Sequence, residues 1–364
     1  MTLSPTSPAA HTKVQKFFGS FFQKRTAFFS FCREPYQMPD TAPLDLSIHA
    51  RDGDIHLISP PQQFEGGEEA YDDHIGGANN ADLLRPGRGA WQLVTRHAER
   101  PIAAWLELGA GGGTCTLGLI AATPGLQALV TDTSPQFLRI IQRKLAAMGL
   151  AADRVSYATL ACEHLDALPA ESFDAIIIAS ALHHVWDWRE AVAAAGRLLR
   201  PGGVLVLQEP CREGNLMMGM MLDVILSPLW PASIGLEQAD IERIRRCRDS
   251  IYYLADTSIL KIGEDKHSFL SNEVVEGATD AGFRRSFFYS NIHFQDLANA
   301  DASYRRGRLS FLAYLDSFLE HHHRVSPGGM ARLRDSLFPV FDRLDNVFRV
   351  GDGAALLGCL VFCK

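Results

Sequence analysis

The sequence predicts an α/β protein centred on a mostly parallel sheet with helices on both faces. Three observations predict it. Strand-like and helix-like patterns alternate over residues 103–210, which is the rhythm of strands joined by helical crossovers. A short apolar run ends in the glycine burst of WLELGAGGGTCTLGL, residues 105–119. A later helical run stops at Arg200-Pro201-Gly202-Gly203 and an apolar strand pattern follows at once, a strong helix terminator.

Each element has its own reason. Residues 103–108 read as a short buried strand, with the glycine loop at its end and a helix from about Thr114. Residues 128–131 form a second strand ending at Asp132. In the next helix Ser134 caps and Pro135 suits the first turn, while Phe137, Leu138, Ile141, Leu145 and Met148 recur at helical spacing. Residues 155–161 suggest a third strand, the isoleucine-rich 175–179 a fourth, and 204–208 a fifth, with a helix over 189–199. Beyond Pro210 the rhythm breaks. A Met-, Leu- and Trp-rich stretch at 215–230 precedes a charged helical stretch at about 237–250. A helix near 271–281 and a strand over 283–289 return to the sheet pattern, residues 292–348 read as mainly helical, and 354–362 as a last strand.

Composition narrows the function. The chain has 364 residues, 47% of them hydrophobic and 21% charged, enough for a sizeable core. A net charge of −7 argues against general nucleic-acid binding, which favours a basic surface. The seven cysteines show no metal-binding or redox spacing, so reduced thiols and a cytoplasmic compartment are expected. Cys359 and Cys363 would share one face of the last strand. No metal site is expected either, the run His321–His323 lacking partner ligands. The first 33 residues contain no acid, yet carry Lys13, Lys16, Lys24, Arg25 and Arg33. Their Phe17, Phe18, Phe21, Phe22, Phe28 and Phe29 fall within about 140° on a helical wheel. This segment reads as a helix covering the catalytic domain, as a peripheral membrane contact or as a targeting peptide.

The glycine loop admits two cofactors. A dinucleotide fingerprint needs Gly-x-Gly-x-x-Gly and a later acid. Gly109 and Gly111 fit and Asp132 stands at a suitable distance, but the third glycine position holds Thr114, and the spacing is Gly109, Gly111, Gly113. Glu107, two residues before the loop, would repel a pyrophosphate and attract a cationic group. S-adenosyl-L-methionine has a sulfonium and an amino group there and no phosphate. The chain resembles the class I S-adenosylmethionine-dependent methyltransferase family, small-molecule type, on motifs in order: WLELGAGGGT, VTDTS, LPAESFDAIIIASALHHV and RLLRPGGVLVLQEP. SFLSNEVVEGATDAGFRRSFFYS extends the likeness more weakly towards Ser290.

The resemblance implies a Rossmann-like, doubly wound, seven-stranded, mostly parallel sheet with helical N-terminal, lid and C-terminal additions. It implies that Gly109, Ala110, Gly111 and Gly113 approach the methionine and ribose, with Glu107 facing the amino group. Asp132, followed by Thr133, would bind the ribose diol. Cys162 and Glu163 would meet the adenine, while Ala179 and Ser180 would lie beside the cofactor. Asp174 reads as structural. His183 and His184 are the candidate catalytic groups at the end of the fourth strand, with Glu209 at the end of the fifth and His267 and His293 more remote. Tyr71 would close over the cofactor.

The acceptor pocket should come from the additions. Met217, Met218, Met220, Met221 and Trp230 form either an adaptable apolar lid or helical core. A lid would suit a small, apolar or amphiphilic acceptor, lipid-like or aromatic, methylated at oxygen, nitrogen or carbon. An NAD(P)-dependent oxidoreductase and a non-catalytic cofactor-binding module are the alternatives. The expected organisation is an N-terminal Phe-rich basic extension (1–48), a helical or irregular lead-in (49–100), the methyltransferase core (101–212) and a helical lid or substrate segment (213–265). A core helix and strand (266–291), a helical insertion (292–353) and a final strand (354–364) follow. Whether the chain pairs as a homodimer is left open.

Overall fold

The computed structural model describes residues 44–64, 67–78, 83–150, 152–258, 265–290, 294, 310–350 and 355–364. The Phe-rich N-terminal segment, Ala354 and His293 lie outside the described residues.

The sheet grows from a hairpin, β1 (Ala50–Asp52) and β2 (Ile55–Leu57). Helices α1 (Glu68–Ala78) and α2 (Arg85–His97) lead to β3 (Ala104–Leu108), α3 (Thr116–Ala122) and β4 (Gln127–Asp132). Then come α4 (Pro135–Ala147), β5 (Val155–Thr159), β6 (Phe173–Ala179), α5 (Trp188–Leu198) and β7 (Leu199–Pro210). After α6 (Arg212–Leu226) and α7 (Gln238–Ala255), α8 (Ser271–Asp280) precedes β8 (Arg285–Ser290). Helices α9 (Phe311–Ser317), α10 (Pro327–Ser336) and α11 (Phe338–Val350) precede β9 (Leu357–Cys363).

Among the described residues the sheet has nine strands in the order β1-β2-β5-β4-β3-β6-β7-β9-β8, where seven were expected. The lead-in supplies the additional pair: β1 and β2 form an antiparallel hairpin, and β2 pairs in parallel with β5. Strands of three residues, one fully exposed and reading Ala-Arg-Asp, show no periodicity to read. The helix after the glycine loop starts at Thr116 rather than Thr114. The fifth core strand begins at Leu199, directly at the helix terminator, and slips register against β6 between Phe173 and Ala175. Strand β9 lies antiparallel between β7 and β8, so the last two strands do pair despite the long stretch between Ser290 and Leu357.

Alternation along the strands divides the core. Leu106, Leu108, Ile176, Ile178, Leu205 and Leu207 face α5 and α8 with Trp188, Val192 and Val274. Trp105, Val130, Ile177 and Val206 face α2, α3 and α4 with Leu93, Leu119 and Ile141, and Cys359 and Cys363 are buried on this same side. Burial on both faces explains why the central strands are almost continuously apolar. A third cluster joins α6, α7, α9, α10 and α11 through Met218, Met221, Leu222, Ile244, Leu315 and Phe341. Of the methionines singled out for an apolar lid, Met218 and Met221 are thus core, whereas Met220 is exposed.

The strand start is held by Asp174, which is fully buried. Its Oδ2 accepts from the backbone nitrogens of Ala103 (2.8 Å) and Ala104 (3.0 Å), and its carboxylate pairs with Arg100 (2.9 Å) and Arg200 (3.1 Å). One side chain thereby fastens β6 to the start of β3 and to the α5–β7 turn. Replacing Asp174 by Ala strands two buried amides, at a cost of about 2–4 kcal/mol. Urea denaturation should show that loss, with Asp174→Asn losing less because it keeps one acceptor oxygen.

Candidate functional site

The site lies at the C-terminal ends of the central strands, where ligands bind in open α/β sheets. The loop after β3 turns through left-handed glycines, with φ of 68° at Gly109 and 51° at Gly111. A β-carbon at Gly109 would stand 2.5 Å from the Ala181 methyl, so glycine there allows the loop to touch the turn after β6. A β-carbon at Gly111 would meet nothing within 4 Å and would project into open space. Gly109, Gly111, Ala179 and Cys162 are half-buried and Ser180 is exposed, whereas Ala110 and Gly113 are buried.

Two carboxylates govern the electrostatics. Glu107 is 1% exposed, and neither oxygen accepts a well-formed hydrogen bond. Burial, partly offset by the nearby Thr116 hydroxyl and reinforced by the charge of Asp132, pushes its carboxyl up to about 8. Asp132 is better satisfied: Oδ2 accepts from Gly111 N at 2.8 Å and Oδ1 from Ser134 N at 2.9 Å. Burial still raises it to about 6, against the hydrogen bonds from Ser134, Gly111 and Thr133 and with the help of the Glu68 charge. The helix-capping role passes to Ser134, whose side chain accepts from Gln136 N. An unpartnered buried carboxyl beside a glycine cradle suits a ligand with a cationic amine and is a poor host for a pyrophosphate.

The segments before β3 border these strand ends in a way the sequence did not show. Ser59 accepts from Ala161 N through its hydroxyl (3.0 Å), Gln62 N donates to the Thr133 carbonyl (2.8 Å), and Ser134 donates to the buried Glu68 (2.6 Å). Asp72 pairs with Lys144 at 2.5 Å, and Lys144 also donates to the Gly112 carbonyl at 2.8 Å. Tyr71 packs edge-on against Phe64 and Phe137, at 5.0 and 5.7 Å. No local motif marks Ser59, Gln62 or Glu68. Cys162 opens a short 3₁₀ helix after β5, and Glu163 beside it is exposed. Burial and the charges of Glu163, Glu209 and Asp132 push the Cys162 thiol up to about 12.

A second cluster closes the other side. Ser180 leaves β6 with φ of 53°, a left-handed conformation rare outside glycine. The buried Glu209 receives the turn that follows: Oε1 accepts from Ala181 N (3.0 Å) and Leu182 N (2.8 Å), and Oε2 contacts His183 Nδ1 at 2.6 Å. Asp265 Oδ1 stands 3.5 Å from His183 Nε2 and 3.3 Å from His184 Nδ1. Burial works against a charge on His183, but the carboxylates of Glu209 and Asp265 outweigh it and raise its pKa to about 10. The structure thus brings His183 and Glu209 together at the cofactor loop, through the contact of Gly109 with Ala181. His267 is turned away, its Nε2 bonded to the Trp186 carbonyl at 3.0 Å.

The ionisation of Glu107 has a measurable signature without any ligand. The unfolded chain loses this proton near 4.5 while the folded chain keeps it to about 8. Its contribution is therefore fully present below pH 4.5 and is lost as pH rises from there through 8, at about 1.4 kcal/mol per pH unit. Comparing the unfolding free energies of wild type and Glu107→Gln across this window should show a steeper decline in the wild type, the decline due to Asp132 being common to both.

Comparison with known proteins identifies the family. The family described as "Methyltransferase domain" matches residues 106–205. The demethylmenaquinone methyltransferase of Thermus thermophilus is 30% identical over 170 residues, covering 46% of this chain and 73% of that protein. The reducing polyketide synthase Preu2 of Preussia isomera is 35% identical over 107 residues, which are 29% of this chain but only 4% of the synthase. The plantazolicin methyltransferase BamL, solved with SAH and a triazolic desmethylPZN analog, is 12% identical with a TM-score of 0.44, covering 82% of this chain and 89% of BamL. The chain belongs to the class I S-adenosylmethionine-dependent methyltransferases, and S-adenosylmethionine is its cofactor.

Proposed function

We propose that this enzyme methylates a small apolar or amphiphilic acceptor whose reacting carbon or oxygen belongs to an enol or phenol. The observation that carries this reading is the His183–Glu209 pair, built against the glycine loop, with Nε2 of the imidazole 3.5 Å from the partly exposed Asp265. Glu107 faces the amino group of the cofactor and Asp132 the ribose hydroxyls, with Gly111 and its open space between them. Ala179 and Ser180 border the methionine end, and Cys162, Glu163 and Thr133 border the adenine end. When bound, the cofactor supplies an electrophilic methyl group and leaves as a neutral thioether.

The chain's own residues make the acceptor nucleophilic and hold it in line. In the neutral imidazole, Glu209 keeps the proton of His183 on Nδ1 and so leaves the lone pair on Nε2. His183 takes the acceptor's proton at Nε2, and Glu209 stabilises the imidazolium that results. The acceptor's electron pair forms the new bond to the methyl carbon, and the carbon–sulfur pair stays on sulfur. His183 then gives its proton to water. Because His183 holds its proton to about 10, only the fraction with a free Nε2 accepts the acceptor's proton, and the rate should rise with pH towards 10. The relatives whose names mention polyketide and demethylmenaquinone chemistry support acceptors of this kind. Among the described residues no helix is long and apolar enough to cross a membrane. The exposed Leu216, Met220 and Val224 on α6 give an apolar acceptor a surface of approach.

Methyl transfer from radiolabelled S-adenosylmethionine to a β-ketothioester, a quinol and a primary amine tests the acceptor class. Labelling of the first or second supports the reading, and labelling of the amine alone overturns it. His183→Asn and Glu209→Gln should each lower kcat by about a hundredfold or more. Calorimetry should find S-adenosylhomocysteine binding to both variants as it does to the wild type, whereas Glu107→Ala should weaken that binding.

A further inference from the structure

We infer that His183 Nε2, His184 Nδ1 and Asp265 Oδ1 form a divalent transition-metal site, occupancy of which silences the methyltransferase. The silencing rests on the proposed role of His183 as base; the binding does not. The three donor atoms lie within 4.8 Å of one another. Asp265 Oδ1 is 3.5 Å from His183 Nε2 and 3.3 Å from His184 Nδ1. Donors about 2.0–2.1 Å from a tetrahedral centre stand about 3.4 Å apart, so these separations fit such an ion better than a tight direct ion pair.

The surroundings fit as well. The other nitrogen of His183 is held by the buried Glu209 at 2.6 Å, the carboxylate–histidine arrangement that fixes the tautomer and orients a metal-binding imidazole. Backbone nitrogens of Lys266 and His267 donate to the His183 carbonyl at 2.9 and 3.0 Å. They pin Asp265 against the turn that carries both histidines. His183 is shielded, whereas the side chains of His184 and Asp265 are each 42% exposed, which provides an entry path and room for water as the remaining ligand. The Lys266 ammonium sits over the Trp186 ring, 4.6 Å from its centroid. Two imidazoles and one carboxylate select zinc, cobalt or nickel over magnesium or calcium. An ion so held takes the Nε2 lone pair that would receive the acceptor's proton, so the metal and the acceptor compete for one nitrogen.

The test titrates the full chain with cobalt(II) alone and follows the visible bands of tetrahedral cobalt, with zinc as the competitor. One equivalent should bind and zinc should displace it. His184→Ala and Asp265→Asn should each weaken binding at least tenfold while keeping wild-type affinity for S-adenosylhomocysteine, which shows that they fold. Sub-stoichiometric binding, or binding unchanged in both variants, overturns the site. In the activity arm, zinc should lower the wild-type rate at least tenfold and the Asp265→Asn rate less than twofold, each against its own metal-free rate. Equal inhibition of the two overturns the regulatory half. A chain that binds cobalt as described but methylates no enol or phenol would sink the acceptor reading and leave the metal site standing.

Discussion

The carboxylate of Glu209 is the constraint on which the turn after β6 and its contact with the glycine loop depend. A buried charge is tolerable only when it is paired or well hydrogen-bonded. Glu209 gathers Ala181 N, Leu182 N and His183 Nδ1 from the neighbouring strand's exit. Satisfying it forces the chain after β6 into a tight turn, and the left-handed Ser180 is the residue that absorbs the bend. The same turn presses Ala181 onto Gly109. Cofactor loop and histidine are therefore positioned relative to each other through one buried acid.

The cofactor side uses its two acids differently. Asp132 is already engaged with Gly111 and Ser134, which shapes the loop and orients the carboxylate. Glu107 lacks such bonds, and burial pushes its carboxyl up to about 8, which a neighbouring cation would offset. Both stand beside a strand–glycine–helix start shared with dinucleotide-binding proteins. The altered spacing of the third glycine and the acid two residues before the loop both separate this start from a dinucleotide fingerprint.

The helices outside the sheet have a dual character. Their inner faces form a separate core around Leu222, Ile244 and Phe341, while Leu216, Met220 and Val224 recur at helical spacing on the exposed face of α6. The methionine-rich stretch is thus both core and surface, because a helix carries two faces at once. Asp240 illustrates how the added helices are fastened: it accepts from Ser326 N and Ser326 Oγ and pairs with Arg243, tying α7 to the start of α10.

The sequence by itself determined the central alternation of strands and helices, the glycine loop, and the acids at the ends of the first and second core strands. These are local signals: periodicity, helix caps and the spacing of glycines depend on near neighbours in the chain. It also placed His183 and Glu209 at strand ends, but as separate candidates. Only the tertiary structure decided that they pair, because residues 26 apart meet through the parallel register of β6 and β7. It likewise decided the added hairpin, the position of β9 between β7 and β8, and the contacts of Ser59, Gln62 and Glu68 with the cleft. Those depend on hydrogen bonds between segments far apart in the chain, which no local pattern encodes. Asp265 joins the histidines for the same reason, brought to them by backbone bonds from the next two residues to the His183 carbonyl.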